Sequence, residues 1–217
     1  MSDEIAARRG MSEATIARLP DYLHVLGDLI DRGTASVSSR DLAAAAGVNS
    51  AQVRKDLSLL GSYGVRGVGY DTAGLAGHIA HALGLTHPWG VVIVGAGRLG
   101  QALVRYPGLD GRGFAIRALF DSDPDLVGTR IREIEVHAVD EIPEVVSRHA
   151  PVLAVIATPA EAAAGVCARL VEAGVTGILN FAPVVLPEPQ GVHLRQVDLA
   201  NELQILAFHA HSEEVTA

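Results

Sequence analysis

The sequence predicts an α/β fold, with an N-terminal winged-helix domain followed by a Rossmann-like, doubly wound parallel sheet. Two observations carry this prediction. A helix-turn-helix pattern and a glycine-rich hairpin lie in the first third of the chain, and alternating strands and helices follow, beginning with a strand that ends in G-x-G-x-x-G. We place the domains at residues 1–86 and 87–217, with a hinge over 86–90, where Pro and Gly occur together.

Composition excludes several classes of protein. Hydrophobic residues make up 49% of the 217 positions, which suffices for a packed core, yet no apolar run reaches the ~20 residues that a membrane span needs. The polar N-terminus lacks a signal-peptide pattern and the one cysteine, Cys167, cannot form an internal disulfide, so we expect a reduced, cytoplasmic protein. The nine histidines lack metal-ligand spacing, so we expect no metal.

The net charge of −8 argues at first sight against a nucleic-acid partner, but the acidic residues are unevenly distributed. Residues 1–85 carry eight basic and nine acidic side chains, whereas residues 86–217 carry nine and sixteen. The only lysine, Lys55, lies in a short basic window over residues 49–70. Most of the acidity therefore lies in the second part of the chain, and the net charge does not exclude a nucleic-acid partner for the first part.

Three amphipathic helices are expected in the first domain. Apolar residues at steps of three and four predict a helix over 14–32, and two shorter helices over 39–46 and 49–61 are joined by a tight turn at Gly47. Such a pair forms a helix-turn-helix, whose second helix presents its N-terminal residues to bases in the DNA major groove. The candidate DNA contacts on that helix are Ser50, Gln52, Arg54, Lys55 and Ser58.

A hairpin is predicted next, over residues 62–70, because β-forming residues alternate there with glycines. A helix-turn-helix followed by a hairpin is a winged helix, and Arg66 at the hairpin tip would contact phosphate or the minor groove. A further helix, over 73–85, completes the first domain.

The second domain alternates strands and helices, which predicts a parallel sheet covered by helices on both faces. Strands are expected near 91–95, 115–120, 134–137, 151–157, 176–180 and 192–197, and helices near 98–106, 140–149 and 160–173. Ligands bind beyond the carboxyl ends of such strands. Five residues that follow strand ends should therefore line one crevice, namely Thr158, Pro159, Asn180, Phe181 and Ala182.

The glycine motif is a strong signal in this context, since it follows a strand and opens a helix. Its residues are Gly95, Ala96, Gly97, Arg98, Leu99 and Gly100. Gly95 makes the tight turn, Gly97 lets backbone N–H groups approach a pyrophosphate, and Gly100 lets the helix pack against the strand. Asp121 ends the second strand, 21 residues after Gly100, where a carboxylate binds ribose hydroxyls and repels a 2′-phosphate. NAD(H) is therefore favoured over NADP(H).

The chain ends in an unusually apolar helix, predicted over residues 198–210 with Asp198 as its N-cap. Its apolar residues are Leu199, Leu203, Ile205, Leu206 and Phe208. A helix of this composition must bury its surface, either on its own domain or on a second copy of the chain.

Taken in order, these features resemble the Rex family of redox-sensing transcriptional repressors over essentially the whole chain. The motifs that carry the resemblance are Arg18 to Leu23 in the first helix, Gln52 to Leu57 in the recognition helix, Gly61 to Tyr70 in the wing, the glycine motif with Tyr106, Phe120 to Pro124, Asn180 to Pro183, and Val197 to Leu199.

The resemblance implies a homodimer in which the C-terminal helix crosses to the partner protomer, so that two recognition helices read a palindromic operator. It further implies that the repressor leaves the DNA when NADH rises relative to NAD⁺. By the same resemblance, Arg18, Tyr106 and Asp198 form a polar cluster that responds to the redox state of the dinucleotide. NADH and NAD⁺ are then effector ligands, and the protein is not an enzyme.

Two other functions remain open from the residues alone. An NAD-dependent oxidoreductase fits the glycine motif, but no lysine follows residue 55, no histidine belongs to a catalytic motif, and residues 86–217 leave no room for a substrate domain. A module for another adenine ligand, such as coenzyme A, is compatible with both the glycine loop and Asp121.

Overall fold

The computed structural model describes residues 11–61, 63–65 and 67–214. The chain divides between His87 and Pro88 into two compact units, which we call the N-terminal and C-terminal units. The predicted fold class is confirmed, because a helical unit with a small antiparallel sheet precedes a unit built on a largely parallel sheet.

Within its described residues, the N-terminal unit contains four helices and a three-stranded sheet. The helices are α1 (Glu13–Asp31), α2 (Ser39–Ala45), α3 (Ser50–Leu60) and α4 (Thr72–Ala82), and the strands are β1 (Ser36–Val37), β2 (Gly64–Val65) and β3 (Gly69–Asp71). Asn49 caps α3, as its side chain accepts a hydrogen bond from the Gln52 backbone N–H at 2.8 Å. Helices α2 and α3 are the predicted helix-turn-helix.

The small sheet that includes the wing hairpin has a third strand, β1, that the sequence pattern did not predict. Residues 34–38 are expected to be a connector, but β1 pairs with β3, and the sheet order is β1-β3-β2. A Cβ at Gly69 would lie 2.4 Å from the carbonyl oxygen of Val37, and the φ of Gly69 is +99°. Only glycine therefore permits this close approach of the two strands.

One hydrophobic core holds the N-terminal unit together. Leu19, Tyr22 and Leu26 of α1 are almost completely buried and belong to the same cluster as Leu57 of α3 and Ile79 of α4. These positions follow the helical spacing of the sequence, so burial of the apolar face of each helix explains how the three helices assemble.

A seven-stranded sheet forms the centre of the C-terminal unit, in the order β10-β9-β8-β4-β5-β7-β6. Its strands are β4 (Trp89–Val94), β5 (Phe114–Asp121), β6 (Arg130–Ile131), β7 (Ile134–Ala138), β8 (Val152–Ile156), β9 (Gly177–Asn180) and β10 (His193–Gln196). All pairs are parallel except β6 with β7, and β6 was not predicted. Its two residues are too short for a periodic signal.

Helices cover the sheet on both faces. They are α5 (Arg98–Val104), α6 (Ile142–His149) and α7 (Ala160–Glu172). The apolar run Val152–Ile156 forms β8 at the centre of the sheet, where it is mostly buried. This arrangement explains why that strand lacks the alternation of a half-exposed one.

The chain closes with α8 (Leu199–Glu214), in place of the predicted 198–210. Every residue of this helix from 199 to 211 is exposed, including five large apolar side chains that are 53–68% accessible to solvent, namely Leu199, Leu203, Ile205, Leu206 and Phe208. Within the described residues, no helix has the length and apolar character needed to cross a membrane.

Candidate functional site

A cleft of about 890 Å³ opens at the carboxyl ends of the central strands. The chain runs from β4 outward to β5 and β7 on one side, then crosses back to β8 and β9 on the other. Open α/β sheets bind ligands at such a switch point. Five of the predicted site residues line this cleft: Gly95, Gly97, Asp121, Thr158 and Pro159.

The three motif glycines have different steric roles. A Cβ at Gly100 would lie 1.8 Å from the carbonyl oxygen of Gly95, so Gly100 lets α5 pack against the turn. Gly95 has a φ of +108°, and a Cβ there would lie 2.5 Å from the carbonyl oxygen of Ala157. A Cβ at Gly97, by contrast, would meet no described atom within 4 Å. Gly97 is therefore not required by the packing of the fold, and its open side faces the cleft.

Asp121 is held in place by backbone N–H groups. Its Oδ2 accepts a hydrogen bond from the Ala96 N–H at 2.6 Å, and its Oδ1 accepts one from the Asp123 N–H at 2.9 Å. The carboxylate is thus tied to the glycine loop and oriented at the cleft. Each carboxylate oxygen has a second lone pair, which remains for a ligand hydroxyl.

Thr158 provides an unused polar group at the same edge. Its Oγ1 is buried and has no hydrogen-bond partner among the described residues. Such atoms are rare in folded proteins because each one loses its hydrogen bonds to water, so an unpaired hydroxyl beside a cleft points to a ligand.

An ion pair at the cleft was missed by the sequence analysis. The Arg169 guanidinium on α7 contacts the Asp140 carboxylate, which follows β7, and both residues line the cleft. No local motif joins two residues so far apart in the chain, so only the fold could reveal this pair.

Seven predicted residues do not belong to the described lining of this cleft: Ala96, Arg98, Leu99, Gly100, Asn180, Phe181 and Ala182. Asn180 is completely buried. Its Nδ2 donates to the Val184 carbonyl at 2.9 Å and to Oε1 of Gln196 at 2.7 Å, and its Oδ1 accepts from the Ala182 N–H at 3.0 Å. In this structure Asn180 orders the loop after β9, and a ligand contact for it stays a prediction.

The predicted DNA-facing side of α3 is only partly free. Arg54, Lys55 and Ser58 are exposed, and Arg54 Nη1 donates to the Ser39 hydroxyl at 3.1 Å. Ser50 and Gln52 are half-buried. Arg66, predicted at the wing tip, lies outside the described residues.

A buried polar network joins α1 to α3, and its centre is the fully buried carboxylate of Asp56. Arg18 forms two hydrogen bonds with it, Nε to Oδ2 at 2.7 Å and Nη2 to Oδ1 at 2.8 Å. Tyr22 Oη donates to Oδ2 at 2.8 Å, Gln52 Nε2 donates to Oδ1 at 2.8 Å, and Thr15 Oγ1 donates to Oδ1 at 3.2 Å. Asp56 was not predicted as a site residue, although its position four residues after Gln52 puts the two on one helix face.

The network keeps Asp56 ionised. Burial by itself raises the pKa of this carboxyl, but the hydrogen bonds from Arg18, Tyr22 and Gln52 outweigh burial, and its pKa lies below the ordinary 3.8. The hydrogen bond to Asp56 is the main reason that the pKa of Arg18 is raised above its ordinary value. Burial, followed by the hydrogen bond to Asp56, raises the pKa of Tyr22 to about 12.

Each residue of the predicted redox cluster has a defined place within its own unit. Arg18 is paired with Asp56, as described above. Tyr106 follows α5 and is 52% exposed. Asp198 precedes α8, where its Oδ1 accepts a hydrogen bond from the Ala200 N–H at 2.9 Å. The cluster itself stays a prediction. No group of three or more His, Cys, Asp or Glu side chains in the described chain is placed to hold a metal ion.

Family models match both units separately. A model described as a putative DNA-binding protein N-terminus matches residues 10–58, and one described as a CoA binding domain matches residues 86–184. The first covers the helix-turn-helix, and the second covers the glycine loop and most of the parallel sheet.

Whole-chain relatives are more specific. The chain is 57% identical to the redox-sensing transcriptional repressor Rex of Streptomyces avermitilis, over 93% of this chain and 80% of that protein. Two crystal structures of a repressor called RSP are also similar. Its complex with NAD⁺ and operator DNA has a TM-score of 0.87 at 34% identity and covers 95% of each chain. Its complex with NADH has a TM-score of 0.84 at 33% identity and covers 95% of this chain and 97% of that one.

These relatives are named as repressors and not as enzymes, which argues against the oxidoreductase alternative. The identity and coverage extend through both units, as expected if the whole architecture is shared. The chain belongs to the Rex family of redox-sensing transcriptional repressors.

Proposed function

We propose that this protein represses transcription by binding a palindromic operator as a homodimer, and that it releases the DNA when it binds NADH in the C-terminal unit. The observation that carries the proposal is the presence in one chain of an exposed cationic recognition helix and of a glycine-loop cleft with an oriented carboxylate. A dehydrogenase needs only the second of these features. A protein that binds an operator and responds to the NADH pool would act in the cytoplasm, which is where we propose that it works.

The residues of the cleft fit a dinucleotide. The open side of Gly97 leaves room for a pyrophosphate beside the backbone, where a side chain would intrude. Asp121 would accept hydrogen bonds from the two hydroxyls of the adenosine ribose, and the unpaired Thr158 hydroxyl would bind a polar group of the same ligand. When bound, the dinucleotide supplies a nicotinamide whose charge depends on its redox state.

Redox sensing requires that the protein distinguish a positive nicotinamide ring from a neutral one, because a ligand shifts a conformational equilibrium only by its differential affinity. Arg18, Tyr106 and Asp198 are our candidates for that task. Switching from 1:99 to 99:1 requires about 5.5 kcal/mol, which two NADH molecules on one dimer could share.

The test of this function is a gel-shift titration of a palindromic operator, run in parallel with NADH, NAD⁺ and NADPH. We expect NADH alone to release the DNA.

In the same assay, Arg54→Ala or Lys55→Ala should weaken operator binding about tenfold or more without changing the NADH affinity, since these cations lie on the exposed face of α3. Arg148→Ala removes an exposed arginine from the C-terminal unit and is the matched control. Equal loss of DNA and NADH binding would contradict the assignment of separate roles to the two units.

Asp121→Ala should relax the discrimination against NADPH. Removing the carboxylate abolishes its repulsion of a 2′-phosphate and its ribose hydrogen bonds, so NADH affinity should fall about tenfold or more while NADPH affinity rises. Calorimetric titration with NADH and with NADPH measures the ratio of the two affinities. Asp125→Ala is the matched control, because Asp125 is exposed nearby but does not belong to the cleft lining. An unchanged ratio in Asp121→Ala would remove Asp121 from the ribose role.

The exposed helix α8 supports the homodimer. Burying its five large apolar side chains is worth on the order of 10 kcal/mol, enough to hold two chains together. The double variant Leu203→Asp and Leu206→Asp should sediment as a monomer and lose operator affinity, because one head then contacts only one half-site. The control is Gln204→Glu, an acidic change between those two positions. A double variant that still sediments as a dimer would contradict the role of α8.

A further inference from the structure

Gln52 and Asp56 together carry an inference about operator sequence, which rests on the proposed function. Gln52 is the third residue of α3, in the turn that a recognition helix presents to base edges. Its side chain is half-buried, and its Nε2 is held by the Asp56 carboxylate at 2.8 Å. Asp56 is itself fixed from the other side by Arg18 and Tyr22 of α1.

The chemistry of this contact determines which end of the Gln52 amide faces away from the protein. An ionised carboxylate only accepts hydrogen bonds, so the NH₂ group of Gln52 must point toward Asp56. The carbonyl oxygen Oε1 is the other branch of the same amide, and no described residue donates a hydrogen bond to it. Arg18 balances the charge of Asp56 from the α1 side, which leaves the carboxylate in place to orient Gln52.

We infer that Asp56 is a positioning residue for operator recognition. It makes Gln52 present its carbonyl oxygen to the major groove, and this oxygen selects a base with an exocyclic amino group at its major-groove edge. Adenine offers N6 and cytosine offers N4 as donors at that edge. Guanine and thymine present the acceptors O6, N7 and O4, which repel a carbonyl oxygen. A freely rotating glutamine would accept either class of base, so the buried carboxylate supplies selectivity that Gln52 alone lacks.

The experiment is a binding selection from a palindromic operator library with randomised half-sites, using the full-length protein without NADH. Four proteins are compared: the wild type, Gln52→Ala, Asp56→Asn and Tyr22→Phe. The wild type should prefer adenine or cytosine over guanine or thymine at one half-site position by about three- to tenfold, the equivalent of one hydrogen bond. Gln52→Ala should lose the preference at that position only.

Asp56→Asn should relax the same preference. An amide at position 56 can donate as well as accept, so Gln52 would be free to present either end. Tyr22→Phe is the matched control, since it removes another hydrogen bond to Asp56 without touching Gln52, and it should keep the wild-type preference. Hydrogen–deuterium exchange of α1 and α3 in each full-length variant shows whether its N-terminal unit is folded.

Three results would overturn the inference. The first is that the position affected by Gln52→Ala prefers guanine or thymine in the wild type. The second is that Asp56→Asn retains the full base preference. The third is that Tyr22→Phe loses the base preference to the same extent as Asp56→Asn. Any of these, with a palindrome still selected, leaves the proposed function standing. If the wild type selects no sequence at all, the proposed function fails together with this inference.

Discussion

Gly97→Ala is expected to make operator binding insensitive to NADH while the protein stays folded and still binds DNA. The added methyl group meets no described atom within 4 Å, so the fold accommodates it. It would occupy the space in which the pyrophosphate approaches the backbone, and NADH affinity should fall by about 100-fold, equivalent to about 2.7 kcal/mol. Fluorescence titration with NADH and the gel shift measure the two properties separately.

Two other glycines serve as controls for this result. Gly77→Ala, within α4, also adds a methyl group where nothing lies within 4 Å, and it should keep normal NADH sensitivity. Gly100→Ala should instead damage the fold, because its Cβ would lie 1.8 Å from the Gly95 carbonyl oxygen. If Gly97→Ala keeps its NADH response, this loop is not the phosphate site.

Asp56→Ala is expected to destabilise the N-terminal unit by about 3 kcal/mol at pH 7, the lower end of the range for breaking a buried ion pair. The lower end applies because the side chain of Arg18 is 24% exposed and can recover some hydration once its partner is lost. Hydrogen–deuterium exchange of α1 and α3 in the full-length protein measures the loss. The control Tyr22→Phe removes one hydrogen bond and should cost about 1 kcal/mol. Equal costs for the two variants would contradict a dominant role for the charge pair.

This contribution should depend on pH in a defined direction. The pKa of Asp56 is lower in the folded protein than the ordinary 3.8, so the folded state favours the ionised carboxylate. The stabilisation is then complete above pH 3.8 and is lost as the pH falls through the folded-state pKa. The difference in the free energy of unfolding between wild type and Asp56→Ala should therefore become smaller as the pH falls below 3.8. A difference that widens in acid would contradict the sign of the shift.

Local sequence signals predicted most elements of the fold because helices and buried strands leave periodic patterns. The apolar run Val152–Ile156 predicts a buried strand, and the structure buries it. Apolar positions such as Leu19 and Leu26 in α1 and Leu57 in α3 predict the buried face of each helix. The strands β1 and β6 were missed because two residues carry no period and both depend on a partner strand. Helix α8 starts one residue later and ends four residues later than predicted, because helix ends without a strong stop signal are hard to place from sequence.

The site was predicted less completely than the fold. The spacing alone predicted that the glycine loop and Asp121 belong to one site, and the structure joins them through the Ala96 N–H. Their role in binding a dinucleotide stays a prediction. Asn180 was expected to line the ligand crevice and Gln52 to contact DNA, and the fold gives both of them internal partners. The Asp140–Arg169 and Arg18–Asp56 pairs had no sequence signature, because each joins elements that are distant along the chain.

By itself, the sequence determined the two-part architecture, the glycine-loop motif and the helix-turn-helix, because each depends on residues close together along the chain. Only the tertiary structure decided how the polar side chains are shared. Hydrogen bonds and ion pairs depend on atoms within about 3 Å of one another, and long-range packing brings α1 against α3 and the end of β5 against the glycine loop. The buried carboxylate of Asp56 therefore acquires its role from Arg18, a residue 38 positions away.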